Sequence, residues 1–115
     1  SLSQKQQHSE TSAQVRARVL AARAIQMARA GKVNAQLSNP EIARDCVLQQ
    51  QDAEWLEEIL NALGLSVRAW QRILKVARTI ADLAGERQIT HQHLQEAVGY
   101  RSSDRLLIYL HKSLE

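Results

Sequence analysis

The chain has 115 residues, of which 44% are hydrophobic and only 3% aromatic, with no Phe and a formal net charge of +3. This composition suits a single globular domain whose core is built from Leu, Ile, Val and Ala, favours an all-α fold, and excludes a wholly disordered chain. The lone Cys46 cannot close an internal disulfide, no leader pattern opens the chain, and the longest apolar run, LLIYL at 106–110, falls far short of the ~20 residues that span a bilayer. A cytoplasmic location and no membrane partner are therefore expected.

In chain order, SLSQKQQHSETS is polar and stripeless, so residues 1–11 read as a disordered arm or cloning remnant, with the helical domain over 12–113. Ala17, Leu20, Ala21, Ala24, Met27 and Ala28 recur at helical steps and predict a long first helix closed at Gly31, flanked by Arg16, Arg18, Arg23 and Arg29. In SNPEIARDCV, Ser38 or Asn39 caps a short second helix with Pro40 at its start. Ala53, Leu56, Ile59, Leu60 and Leu63 stripe a third, ended by Gly64. From Ser66 the strongest pattern begins: Trp70, Ile73, Leu74, Ala77, Ile80, Ala81 and Ala84 make a central helix that Gly85 stops. Thr90 caps the next helix, with Ile89 and Leu94 at the spacing of a hydrophobic staple and Leu94, Ala97 and Val98 on its core face. A last helix from about Ser103 carries Leu106, Leu107 and Leu110. The expected architecture is one small bundle of five to six helices.

Residues that could carry chemistry form no complete active site. AGKV at 30–33 has a GK pair, yet Gln26 stands where a phosphate loop needs its first glycine and Val33 where it needs Ser or Thr. His91 and His93 are two apart, so a helix does not turn them to one face as metal ligands at i and i+4; no metal site is expected and both read as solvated. Cys46 has no obvious His partner and reads as a buried thiol. Asp52, Glu54, Glu57 and Glu58 read as a solvated acidic face.

Basic charge is better organised. Arg68, Arg72, Lys75 and Thr79 line the central helix opposite its apolar stripe. Periodicity alone makes this an ordinary solvated face, but Arg68 strains that reading. It stands in the first turn, where the helix dipole disfavours a cation by roughly 0.3–1 kcal/mol. Behind the Ser66 cap, outward N–H groups and a guanidinium fork together suit an anion such as phosphate.

GKVNAQLSNPEI, GLSVRAWQRILKVARTIADLAG and ITHQHLQEAVGYRSSDRLL resemble the C-terminal helical domain of the magnesium-chelatase-like AAA+ ATPases of bacteria, the YifB/ComM group, over about residues 12–112. The resemblance implies the small helical lid that follows a nucleotide-binding core, with Arg68 as the second-sensor arginine reaching the γ-phosphate of ATP. Arg68 then has a catalytic role, and Ser66, Arg68, Arg72 and Lys75 are the candidate nucleotide-binding set. Trp70 departs from the Tyr often found there in the family but keeps a large ring in place. The cofactor implied is ATP with Mg²⁺ in a full-length parent and none for the isolated domain. The partners implied are the upstream AAA+ core, neighbouring subunits of a homo-hexamer, and DNA through the parent. Members resembling ComM act in natural transformation as branch-migrating helicases, whereas the family name suggests a chelatase task. Walker A, Walker B, first sensor and arginine finger do not occur in these residues, so no hydrolysis is expected from them alone. Ser1 in place of Met and the Leu114–Glu115 ending fit an expressed fragment. From a different class, a stand-alone helical DNA-binding or histone-like module fits RILKVARTIADLAGERQITHQHLQEAV, with its long helix, short loop and shorter helix. Trp55 and Trp70 lie on apolar stripes rather than among the basic residues, which argues against base stacking.

Overall fold

A computed structural model describes residues 11–99, and they are helical throughout, with no strand among them. Helix α1 spans Ser12–Ala30, a 3-10 turn Asn34–Gln36, α2 Asn39–Asp45, α3 Gln50–Leu63, α4 Val67–Leu83 and α5 His91–Gly99. The arm at 1–10 and the expected last helix from Ser103 lie outside the described residues. Thr11, assigned by sequence to the arm, belongs to the fold: it caps α1 in a reciprocal pair with Gln14.

Helix boundaries follow their chemistry. Ser38 is the α2 cap, placing Asn39 and Pro40 in the first turn. Glu41 reaches back to the Ser38 N–H at 2.8 Å, and that bond, with Lys32 beside it, holds the Glu41 carboxyl down to about 2. Gly64 ends α3 in the left-handed region at φ 66°, and Gly85 follows α4 at φ 72°; a side chain at either would be strained. Ser66 caps α4 through the Ala69 N–H. The Thr90 hydroxyl accepts from the His93 N–H while His93 Nδ1 accepts from the Thr90 N–H at 3.0 Å, a capping box in which imidazole replaces Glu.

The core is aliphatic, as composition requires. Leu37, Ile42, Cys46, Leu56, Leu60, Leu74, Val76, Ala77, Ala81, Ile89, Leu94 and Ala97 form one buried cluster, with Trp55, Trp70, Ile73 and Ile80 packed partly against it. Helix α4 is central, with α5 and α1 as its most extensive neighbours. Its inward surface is wider than the sequence stripe, because Val76, Arg78, Thr79 and Asp82 are buried too. Ala84, assigned to the stripe, is exposed at the C-cap, and Leu63 of the α3 stripe is 62% exposed.

The first helix faces the other way from its sequence reading. Ala17, Leu20, Ala21, Ala24, Met27 and Ala28 are exposed, while Val19, Ala22 and Gln26 are buried and Arg29 is half-buried. The reason is a polar network. Arg29 Nη1 and Nη2 donate to the two oxygens of Asp82 at 3.0 and 2.8 Å. Asn34 Nδ2 donates to Asp82 Oδ2 at 2.9 Å, and Arg78 Nε donates to Oδ1 at 3.2 Å. Arg78 also donates to the carbonyls of Glu86 and Arg87, both at 2.8 Å, tying down the loop after α4. The Gln26 carbonyl accepts from the Asn34 N–H at 3.0 Å. A buried carboxylate needs such donors, and they draw the polar edge of α1 inward.

Two other sequence assignments are corrected. His93 is buried by its capping role rather than solvated. Asp52 is buried rather than part of a solvated acidic face, since its carboxylate meets His91 Nδ1 at 3.1 Å. The His91 ring in turn lies edge-on to Trp55, with centroids 4.5 Å apart, which fastens the start of α3 to the start of α5.

Breaking a buried ion pair by removing one partner's charge costs about 3–5 kcal/mol, so Asp82→Asn should destabilise the chain by that amount in a urea titration. Leu74→Ala, which empties a buried leucine site on α4, should cost about 2–5 kcal/mol in the same measurement. A loss below about 1 kcal/mol in either variant would contradict the packing described.

Candidate anion site at the start of the central helix

Arg68 occupies the first turn of α4, one residue after Val67 and directly behind the Ser66 cap. Ser66 Oγ accepts from the Ala69 N–H at 3.3 Å, and the Ser66 carbonyl accepts from Trp70 at 3.2 Å. Helix geometry leaves the earlier amides, those of Val67 and Arg68, without an intrahelical acceptor. No acidic residue stands in that turn. The end of the helix therefore joins uncompensated positive dipole to a fixed cation.

Beside it opens a groove of about 350 Å³ between α4 and α5, lined by Leu65, Ser66, Arg68, Ala69, Arg72, Ile73, Val76, Ala97 and Val98. Its floor is apolar, and both arginines are exposed at its edge. The lining contains no carboxylate, so this part of the molecule offers donors and cations only. That arrangement suits a phosphate or carboxylate oxygen but supplies no ligand for Mg²⁺.

Of the four residues picked from sequence, Ser66, Arg68 and Arg72 converge here, and Lys75 does not. Its ammonium donates to the Ala35 carbonyl at 3.2 Å, which fastens α4 to the 3-10 turn. Thr79, on the same sequence face, is buried: its hydroxyl accepts from Asn34 at 3.1 Å and donates to the Lys75 carbonyl at 2.9 Å. The basic face is thus split, free at its first two positions and used for packing at the last two. Sequence reading missed the Asp82 network altogether. A signal existed in the charged residues Arg78 and Asp82, which are i, i+4 partners inside an apolar stretch.

The remaining candidates have structural partners. Lys32 of the AGKV stretch pairs with Glu41 at 2.9 Å. Among the described residues, no three of His, Cys, Asp and Glu cluster so as to hold a metal ion, and no helix is long and apolar enough to cross a membrane. Burial pushes the Cys46 thiol up to about 11, with nearby Arg78 and Arg29 only partly opposing it. At neutral pH it is a protonated core thiol and a poor nucleophile.

Comparisons with known proteins agree with the helical architecture. A family model described as magnesium chelatase, subunit ChlI C-terminal, matches residues 9–101. The chain is 65% identical over 98 residues to Competence protein ComM of Haemophilus influenzae, covering 85% of this chain and 19% of that protein. It is 60% identical over 105 residues to the uncharacterized protein YifB of Escherichia coli, covering 91% of this chain and 21% of that one. YifB of Salmonella typhimurium is 58% identical over 113 residues, with 98% and 22% covered. The chain therefore spans about a fifth of the length of the curated relatives it matches.

Because it is buried and protonated, Cys46 should react with a disulfide reagent at pH 8 far more slowly in the native chain than in guanidinium. Native labelling as fast as that of a free thiol would contradict this placement.

Proposed function

Since this chain belongs to the magnesium chelatase, subunit ChlI C-terminal family, we propose that it serves as the helical lid of a larger AAA+ ATPase and that Arg68 is the arginine it contributes to ATP. One observation carries the reading: Arg68 is exposed at a capped helix N-terminus whose first turn holds no acid to neutralise it. An arginine there is disfavoured by the dipole until an anion arrives, and a transferring phosphoryl group is such an anion.

Arg68 would bind an oxygen of the terminal phosphate through its planar fork and stabilise the charge that develops there. The Ser66-capped helix end would add the field of its unpaired amides. Arg72, also on the groove's edge, would widen the positive field without needing direct contact. With no carboxylate in the groove, the magnesium ligands and the phosphate cradle would come from a preceding core domain. Loss of the terminal phosphate after hydrolysis would remove the anion that favours the closed lid, which couples turnover to lid movement.

The printed name of the Haemophilus relative, a competence protein, supports a nucleic-acid task for the parent. We read that parent as a ring, homo-hexameric and cytoplasmic, that moves DNA branches during recombination.

In the full-length parent, Arg68→Ala should lower ATP turnover by ~10³ or more, by analogy with the arginines that complete other phosphoryl-transfer sites. The isolated domain carrying the change should melt within a few degrees of wild type, because the residue is exposed and buries nothing. Arg68→Lys keeps the charge and loses the fork, so it should remain substantially impaired. Lys75→Ala should keep its turnover. Wild-type ATPase rates in Arg68→Ala would sink the assignment.

A further inference from the structure

The groove beside Arg68 ends where the described chain ends. Ala97 and Val98 are part of its lining, and α5 finishes one residue later at Gly99. Leu65, Ile73 and Val76 face the same space, and the turn bordering it carries Leu63, Leu65 and Val67 at 62%, 45% and 74% exposure. A groove with an apolar floor and an apolar border is surface that gains from being covered. Downstream in the sequence, Leu106, Leu107 and Leu110 have the spacing that lets leucines share one helix face. We propose that residues 103–110 of this same chain occupy the groove, with Leu107 and Leu110 packed against Ile73, Val76 and Val98.

Position selects this surface over the other exposed apolar one, the Leu20, Ile25 and Met27 side of α1. Helix α1 meets the C-terminal half of α4, through Arg29 on Asp82 and through Leu83 on the Val19 cluster. Helix α5 starts after the loop that follows α4 and returns along it, so that Ala97 and Val98 meet the residues around Ala69 and Ile73. The chain therefore leaves α5 at the groove end of the molecule. The four residues 100–103 reach at most about 14 Å when extended, and a helix over 103–110 is about 12 Å long. That reach covers the groove beside the exit. Covalent tethering raises the segment's effective concentration to the millimolar range, so a contact too weak to recruit a free peptide is sufficient.

The proposal concerns apolar packing and is independent of what Arg68 binds. Its test is methyl NMR on the 115-residue chain. Nuclear Overhauser contacts are expected between the Leu107 or Leu110 methyls and those of Ile73 or Val76, within one molecule. In the full-length variant Leu107→Ser/Leu110→Ser, these contacts should vanish. Amide exchange from Val67 to Ile73 should then quicken ~10-fold, while Ala77 to Leu83 stays unchanged. Contacts from the leucines to Leu20 or Met27 would overturn the proposal. So would contacts seen only between differently labelled chains, which would assign the groove to a second copy, or an absence of contacts with unaltered exchange. Turnover of the full-length parent, which tests Arg68, can fail or succeed without changing any of these results.

Discussion

The fold depends on how one buried carboxylate is satisfied. Asp82 is 3% exposed, and it accepts from Arg29 on α1, Asn34 on the 3-10 turn and Arg78 on its own helix. An ionised carboxylate in that position would be prohibitively costly alone, and the forked Arg29 contact also fixes the direction from which α1 approaches. The same bonds raise Arg29 further above its ordinary range, so the pair stays charged at any pH at which the chain is folded. Two buried nitrogens, Gln26 Nε2 and Arg29 Nε, find no protein partner, so satisfaction of the network is extensive without being complete. In a core of small aliphatic residues, where an alanine-rich helix could rotate at little cost, such directional bonds decide the rotation.

This anchoring makes the two halves of α4 physically different. From Leu74 to Asp82 the helix is buried on nearly every side, held by Lys75 on the 3-10 turn, Thr79 on Asn34 and Arg78 on the following loop. From Val67 to Arg72 it is largely open, with its polar side facing solvent and only Ala69, Trp70 and Gln71 partly covered. A side chain at the open end therefore stands on a rigid base while remaining accessible, which is what a positioned ligand group requires. The fixed half sets where Arg68 is, and the open half leaves it something to reach.

The parts legible in the sequence were those written in local chemistry. Gly64, Ser66, Gly85 and Thr90 marked the ends of α3, α4 and α5 because caps and left-handed turns depend on a few neighbouring residues. The stripe on α3 and most of that on α4 pointed inward as read, since large aliphatic residues have one good place to go. Helix α1 was misread for a physical reason. Its alanines fit inside or outside equally well, and its decisive residues, Gln26 and Arg29, look like surface residues until Asp82 and Asn34 are brought beside them from 53 and eight positions away. His93 and Asp52 escaped for the same reason, each buried by a partner that hydropathy does not weigh. At the candidate site, Ser66, Arg68 and Arg72 were legible from helix position alone. The Ala35 carbonyl that holds Lys75 lies 40 residues away and was not.

What the groove lacks is as informative about its chemistry as what it contains. A site that carried out phosphoryl transfer unaided would bring carboxylates for the metal and a cradle of amides close to its cation. Here the cations and the capped helix end stand together over an apolar floor with no carboxylate among the lining residues. Such a surface can only complete a site whose other half is supplied elsewhere, and the chain spans about a fifth of its matched relatives. Placing a cation at a helix N-terminus works slightly against the fold, by roughly 0.3–1 kcal/mol. That small penalty is offset only while an anion is present, so Arg68 gives the domain a reason to sit differently with the anion bound and with it gone. A lid that responds to nucleotide needs no larger device than this, since even ~1.4 kcal/mol of differential binding shifts a two-state equilibrium tenfold.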